Sequence, residues 1–426
     1  MKLRKMIGST AIAALMITGL PVGAQQTGPS NTPTGQGPTN NPNDDDGGLG
    51  TGEIIGIGAG ILGLIVGAKL LMKDKKEKPF TKKTVVLLYQ GDEAAARSFA
   101  ETQGLRDTDI EYLDSVELTM IAARSAKKEK PVGTVTRLTG MTGVVEIVRE
   151  GRFQQMGNTS GPLIPASSAA APIAMTAMAA AGGSGVNVAM IDSLVDINHA
   201  SLKSSWIKQQ NFTGKATRSA HGTAIASLIV GKGKVTGKAR SARLHSLAAF
   251  APSKSNKPGI SRTRSLARAL NAAARINPHI LNMSFGGPND AVLARILRKI
   301  AARGTCMVAA TGNGGKKASP PFPARLSQVA GITAVDKKMR AYKYATPGFH
   351  VGAAASGVKR LAAVPGGYRI SSGTSFATAD VAGQLARSSL CSGRRGKGLN
   401  GHISKRARDL GKPGRDDVYG HGLFRL

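Results

Sequence analysis

Ser371-Ser-Gly-Thr-Ser-Phe-Ala-Thr-Ala379 sets a serine on a Gly-Thr turn directly before an apolar helical pattern made by Phe376, Ala377, Val381, Ala382 and Leu385. A residue so placed, Ser375, presents its hydroxyl and its backbone N–H at a helix N-terminus, where the partial positive charge of the helix favours an anion. A serine used as a nucleophile needs a base beside it. The candidate is His221, in Ala220-His-Gly-Thr223 ahead of a second helical pattern, and the residue to orient it is Asp192, which ends the apolar run Val186-Asn-Val-Ala-Met-Ile191. Asn313, in Gly312-Asn-Gly-Gly315, comes after another apolar run and offers the side-chain amide that an oxyanion hole uses. Taken singly, each has a duller reading: Asp192 as a turn cap, His221 as a surface or core histidine, Ser375 as a helix N-cap and Asn313 as a left-handed turn residue.

The order Asp, His, Ser along the chain is that of the subtilisin triad. Around it, Asp192-Ser193, His221-Gly-Thr223, Leu281-Asn-Met-Ser-Phe-Gly-Gly287, Ala309-Ala-Thr-Gly-Asn-Gly314 and Gly373-Thr-Ser375 occur in register. On these blocks the chain resembles the subtilisin-like serine proteases. The resemblance implies an α/β fold, three αβα layers around a mostly parallel sheet, and hydrolysis of peptide bonds through an acyl-enzyme. Asp192, His221 and Ser375 would form the triad, and Asn313 with the Ser375 N–H the oxyanion hole. Ser284, Phe285 and Gly286 would pair with an extended substrate as one wall of the cleft. Ala309, Ala310, Thr311 and Gly312 would form the other, and walls this small suggest tolerance of many sequences. The resemblance also allows calcium, although no acidic cluster has calcium-loop spacing. The chain departs from the family pattern at Leu194, Ala224, Ala379 and Asp380. These departures keep a second reading open, that of a catalytically silent scaffold binding peptides or an anionic surface.

Alternating apolar strands and amphipathic helices from residue 186 onward support the same parallel, doubly covered sheet. The catalytic domain is expected over 186–426, and the ending Tyr419-Gly-His-Gly-Leu-Phe424 resembles the close of such a domain, with none expected after it. Before it, residues 82–150 carry strand-like runs at 84–90, 116–122 and 144–148 and helical spacing at 93–103 and 132–138. The order reads β-α-β-β-α-β. By position and pattern this module resembles the small ferredoxin-like α+β prodomain of the same proteases, an inhibitor of its own enzyme. The Ala/Ser/Gly-rich linker expected over 151–185 is where such a chain would be cut.

Residues 1–24 read as a signal peptide with a basic start, an apolar middle and small residues at the end. Residues 25–52 are too poor in large apolar groups to fold. The glycine-rich apolar stretch within 53–73 is near the length that spans a bilayer, with a buried or peripheral helix as the alternative. The basic run at 73–78 would place the downstream domains in the cytoplasm by the positive-inside rule, whereas the protease resemblance places them outside. Export with the catalytic domain outside is the expectation adopted. The net charge of +33, from 58 basic and 25 acidic residues, would ordinarily raise nucleic acid as a partner. Here the basic residues are scattered without interleaved aromatics, which argues against it. The expected partners are polypeptide substrates, a membrane, and the chain's own module. Cys306 and Cys391 are too few for a disulfide framework, and spacing alone does not pair them.

Overall fold

The computed structural model describes residues 79–157, 159, 161–165, 182–214, 219–251, 258–388, 390, 391, 393 and 399–426. The leader, the polar stretch and the candidate membrane span lie outside the described residues, as does 166–181 of the expected linker. Among the described residues no helix is long and apolar enough to cross a membrane.

The first described elements are β1 (Phe80–Tyr89), α1 (Glu93–Thr102), β2 (Arg106–Leu113), β3 (Leu118–Arg124), α2 (Pro131–Leu138) and β4 (Val144–Gln155). They build an antiparallel sheet in the ferredoxin-like order β4-β1-β3-β2. Successive strand residues point to opposite faces, so Val86 and Leu88 go one way and Leu87 the other. Leu87 packs with Ala96, Ala100 and Leu138 of the module's own helices. Val86 and Leu88 join the core of the later elements, so this sheet is covered on both faces. β2 escaped the sequence pattern because it is an edge strand of polar, half-exposed residues (Arg106-Asp-Thr-Asp-Ile-Glu-Tyr-Leu113) with no apolar alternation. β4 runs on to Gln155 instead of stopping at 148, past the expected module end at 150, with Phe153 fully buried.

Next come β5 (Ile164–Pro165), β6 (Asn187–Ser193), β7 (Ile207–Asn211), α3 (Ala220–Val230), β8 (Arg243–Phe250) and β9 (Ile260–Arg262). After them stand α4 (Thr263–Ile276), β10 (Ile280–Met283), β11 (Phe285–Gly286), α5 (Ala291–Ala302), β12 (Cys306–Ala310) and β13 (Ala330–Val335). The chain closes through β14 (Val351–Ser356), β15 (Arg360–Val364), β16 (Gly367–Ser371), α6 (Thr374–Arg387), α7 (Leu399–Ser404), β17 (Ala407–Arg408) and β18 (Leu423–Phe424). Nine of these strands form one sheet in the order β17-β18-β14-β13-β12-β10-β6-β8-β7, parallel throughout except at the β17–β18 edge.

Val188 and Met190 of β6 face α3 and α6, while Ala189 and Ile191 face α4 and α5. This two-sided burial is why β6 reads as an unbroken apolar run. It also delivers Asp192 to the carboxyl end of the strand, where open α/β sheets gather their sites. The β15–β16 hairpin ends at Ser371 and feeds the chain into α6, which carries Ser375 in its first turn. Cys306, opening β12, is disulfide-bonded to Cys391 beyond α6, with Cα atoms 6.1 Å apart.

The module meets the large sheet's helices through charge as well as apolar packing. Arg264 binds the fully buried Glu150 through Nε at 2.6 Å, and Arg268 bonds to Glu111 and to Asp109, the latter at 2.7 Å. Arg275 approaches Asp114, and Arg295 and Arg298 both approach Glu146. Every acid in these pairs belongs to the module and every arginine to α4 or α5.

Candidate active site

His221 stands in the first turn of α3, 4% exposed, and its Nδ1 lies 2.9 and 3.0 Å from the two carboxylate oxygens of Asp192. Asp192 is itself buried, and its Oδ1 also accepts the Ser193 N–H at 2.8 Å. A carboxylate only accepts, so contact at Nδ1 fixes the proton there and leaves Nε2 as the basic atom. Among the described residues Nε2 has no hydrogen-bond partner. Ser375 does not cap its helix; Gly373 does, and Ser375 is fully buried one residue inside the helix. Its Oγ donates to Ser284 O at 3.0 Å and makes no hydrogen bond to His221.

Asn313 does not take the left-handed turn conformation; Gly312 before it does, with φ +106°. The Asn313 Oδ1 accepts from Thr374 N at 3.1 Å and Thr374 Oγ1 at 3.0 Å, which turns the amide nitrogen away from them. Ser284, Phe285 and Gly286 lie at one edge of the cleft. Ala309 and Ala310 end β12, Thr311 N bonds to Ile332 O and Gly312 N to Thr374 Oγ1. Among the described residues none of these last four hydrogen-bonds to residues 153–157.

What fills the cleft is the chain itself. β4 leaves the module and pairs with β11 on one side (Phe285 with Gln155, Gly286 with Gln154) and with β9 on the other (Phe153 with Ser261, Gln154 with Ile260). Beyond it, Met156 N donates to Ser284 O at 3.0 Å, and Ser375 N donates to Met156 O at 2.9 Å. The Met156 carbonyl therefore points at the backbone donor of the helix N-terminus. Gly373, at φ +152°, has no room for a side chain: a Cβ there would lie 2.9 Å from Met156 O and 3.0 Å from Asn313 Nδ2. Both groups thus border one small space. Gly157 is pressed against His221, for a Cβ on it would fall 2.7 Å from His221 Nε2 and 3.0 Å from Phe376. Phe153 is fully buried against Phe285 and Phe322, with ring centroids 6.3 and 6.2 Å away.

Sequence reasoning did not find residues 153–157 or β9. Only Phe153, a lone aromatic among polar neighbours, gave any signal. Among the described residues no three His, Cys, Asp or Glu side chains come together as a metal site.

A family model described as the subtilase family matches residues 183–422, the span that carries Asp192, His221, Asn313 and Ser375. The chain belongs to the subtilase family. Subtilisin Savinase of Lederbergia lenta is 30% identical to this subtilase over 254 residues, 57% of this chain and 89% of that one. An alkaline protease of Shouchella clausii is also 30% identical over 254 residues, which here is 57% of this chain and 63% of the relative. Fervidolysin of Fervidobacterium pennivorans, a keratinolytic enzyme related to subtilisin, superposes with a TM-score of 0.67 over 83% of this chain and 61% of its own. At 17% identity that likeness speaks for the fold alone. The subtilase thus spans less than two thirds of the latter two proteins.

The departures from the family pattern sit quietly in this subtilase. Ala224 and Ala379 are buried in the core, and Leu194 O accepts from Ser219 N. The Asp380 carboxylate is held by Arg360 at 2.9 Å and Gln384 at 2.6 Å, so it brings no unpaired charge to α6, the helix that carries Ser375.

Proposed function

We propose that the chain is a serine endopeptidase made as a zymogen, and that it cuts its own Met156–Gly157 bond. His221 Nε2 takes the Ser375 proton as Oγ attacks the Met156 carbonyl carbon; the imidazolium then protonates the Gly157 nitrogen as the bond breaks. Asp192 holds the imidazole tautomer and stabilises its charge. The Ser375 N–H and the Asn313 amide hold the oxyanion. Water then repeats the cycle on the acyl-enzyme, releasing Met156 as a carboxylate.

The observation that carries this reading is the pair of hydrogen bonds on Met156, its N–H on Ser284 O and its carbonyl on Ser375 N. They bracket one bond only, and the residue beyond it abuts the base. In this structure Ser375 Oγ donates to Ser284 O, and catalytic hydrogen bonds commonly form or tighten only as reaction proceeds. After the cut the module keeps its five arginine-paired acids and its buried Phe153, which supports its service as an inhibitor. Export and tethering by the stretch within 53–73 belong to the same proposal and rest on the sequence.

Full-length protein should show a new N-terminus at Gly157 by mass spectrometry, and Ser375→Ala protein should stay intact. A serine-directed fluorophosphonate should label Ser375 in the processed wild type. An intact wild-type chain that takes no label would refute the endopeptidase reading; a cut elsewhere would refute only the bond.

A further inference from the structure

The residue two places before the bond, Gln155, makes contacts that a tolerant cleft would not supply. Its side chain is 3% exposed. Nε2 donates to Asp192 Oδ1 at 2.6 Å and to Ser193 Oγ at 2.9 Å, and Oε1 accepts from Gly259 N at 2.9 Å. The backbone joins in, Gln155 N donating to Gly259 O at 3.3 Å. The orientation of the amide is dictated by its partners: a carboxylate cannot donate and a backbone N–H cannot accept, so one end must be NH₂ and the other C=O. Gly259 is part of the fit, since a Cβ there would come within 2.5 Å of Gln155 Oε1.

We propose that this enzyme selects substrates with glutamine at the second position before the scissile bond, read by Asp192 and Ser193 at the amide nitrogen and by Gly259 N–H at the amide oxygen. The inference rests on the endopeptidase reading and names the substrate class for that site. The chemistry makes the selection sharp in two directions. Alanine leaves the Gly259 N–H and a lone pair of Asp192 without their partner in a dry site, and sites built to bond a polar group reject analogues that lack it. Glutamate has nearly the same shape but sets a carboxylate against the Asp192 carboxylate, so it is the worse substrate while ionised. Protonated, it regains an O–H donor. Asparagine is too short to span the two ends.

The test uses enzyme that has processed itself and been separated from its cleaved module, and synthetic octapeptides of sequence 151–158, with glutamine, alanine or glutamate at position 155. At pH 8, kcat/KM should fall about 100-fold for alanine and further for glutamate. The ratio of glutamate to glutamine peptide should rise at least about tenfold between pH 8 and pH 5, as the substrate carboxyl takes up a proton. Taking the ratio at each pH removes the titration of the enzyme's own base. In cis, Gln155→Ala should slow self-processing of the full chain, and Gln155→Glu should slow it more. Alanine within threefold of glutamine, or glutamate equal to alanine at pH 8, would overturn the proposal while leaving the endopeptidase intact. Peptides left uncut by a chain that also fails to process itself would overturn both together.

Discussion

Replacing Asp290 with asparagine should make the protein more stable at neutral pH and leave it little changed in acid. Asp290 caps α5, its Oδ1 accepting from Leu293 N at 3.0 Å, and its Oδ2 accepts from Thr263 Oγ1 at 2.7 Å. That hydroxyl in turn accepts the Gly151 N–H of the module at 2.8 Å, so the carboxylate ends a hydrogen-bond chain that begins on β4. Burial at this site opposes the charge, with the nearby Glu150 adding to it, and raises the carboxyl from 3.8 to about 6. Between those two values the native chain holds a proton that the unfolded chain has released. The stability this confers is complete below about pH 4 and is lost as pH rises through 6. The difference of roughly two units corresponds to about 3 kcal/mol. Asparagine keeps the cap and carries no charge. Urea unfolding of full-length Ser375→Ala protein, with and without Asp290→Asn, should give a stability difference that moves by about 3 kcal/mol in favour of asparagine between pH 4 and pH 8. A difference that is flat across that range, or that moves the other way, would show that Asp290 does not bear the charge in a dry site.

Asn313→Leu, on processed enzyme, should lower kcat by about 10² to 10³ with KM nearly unchanged, the magnitude measured for the matching role in subtilisin, because the Ser375 N–H remains as the second donor. A rise in KM alone would remove Asn313 from the oxyanion hole. Deleting residues 54–72 should move the protein from the membrane fraction to the soluble one, and recovery of both forms in the soluble fraction would refute the tether.

Three short motifs pointed to Asp192, His221 and Ser375, and the structure sets each where backbone geometry leaves little freedom. Asp192 ends a strand buried on both faces, His221 opens a helix against it, and Ser375 comes two residues after a glycine that no larger residue can replace. The same logic made the parallel sheet legible, since Val188–Ile191 of β6 and the whole of β12 are continuous apolar runs. Residues 153–157 were hidden for the opposite reason. Their seat in the cleft is made by backbone pairing with β9 and β11, which nearly any sequence can supply, and Gln155 looks like an ordinary polar linker residue until its partners are known. β2 was hidden because an edge strand that faces arginines has no need of apolar alternation. The Cys306–Cys391 pairing depends on two positions separated by 85 residues, a relation that no local pattern encodes.

That disulfide makes the compartment part of the enzyme's assembly. It fastens the foot of β12, the strand that leads to Asn313, to the segment leaving α6, and both cysteines lie on the same side of the Met156–Gly157 bond. Closing a loop of that size removes on the order of 4 kcal/mol of chain freedom from the unfolded state. Thiols in a reducing cytosol stay open, whereas an oxidising exterior closes them. A chain in a reducing compartment would therefore carry Asp192, His221 and Ser375 on a looser frame than one in an oxidising compartment, so the redox state of its surroundings tightens or slackens the frame of the candidate site.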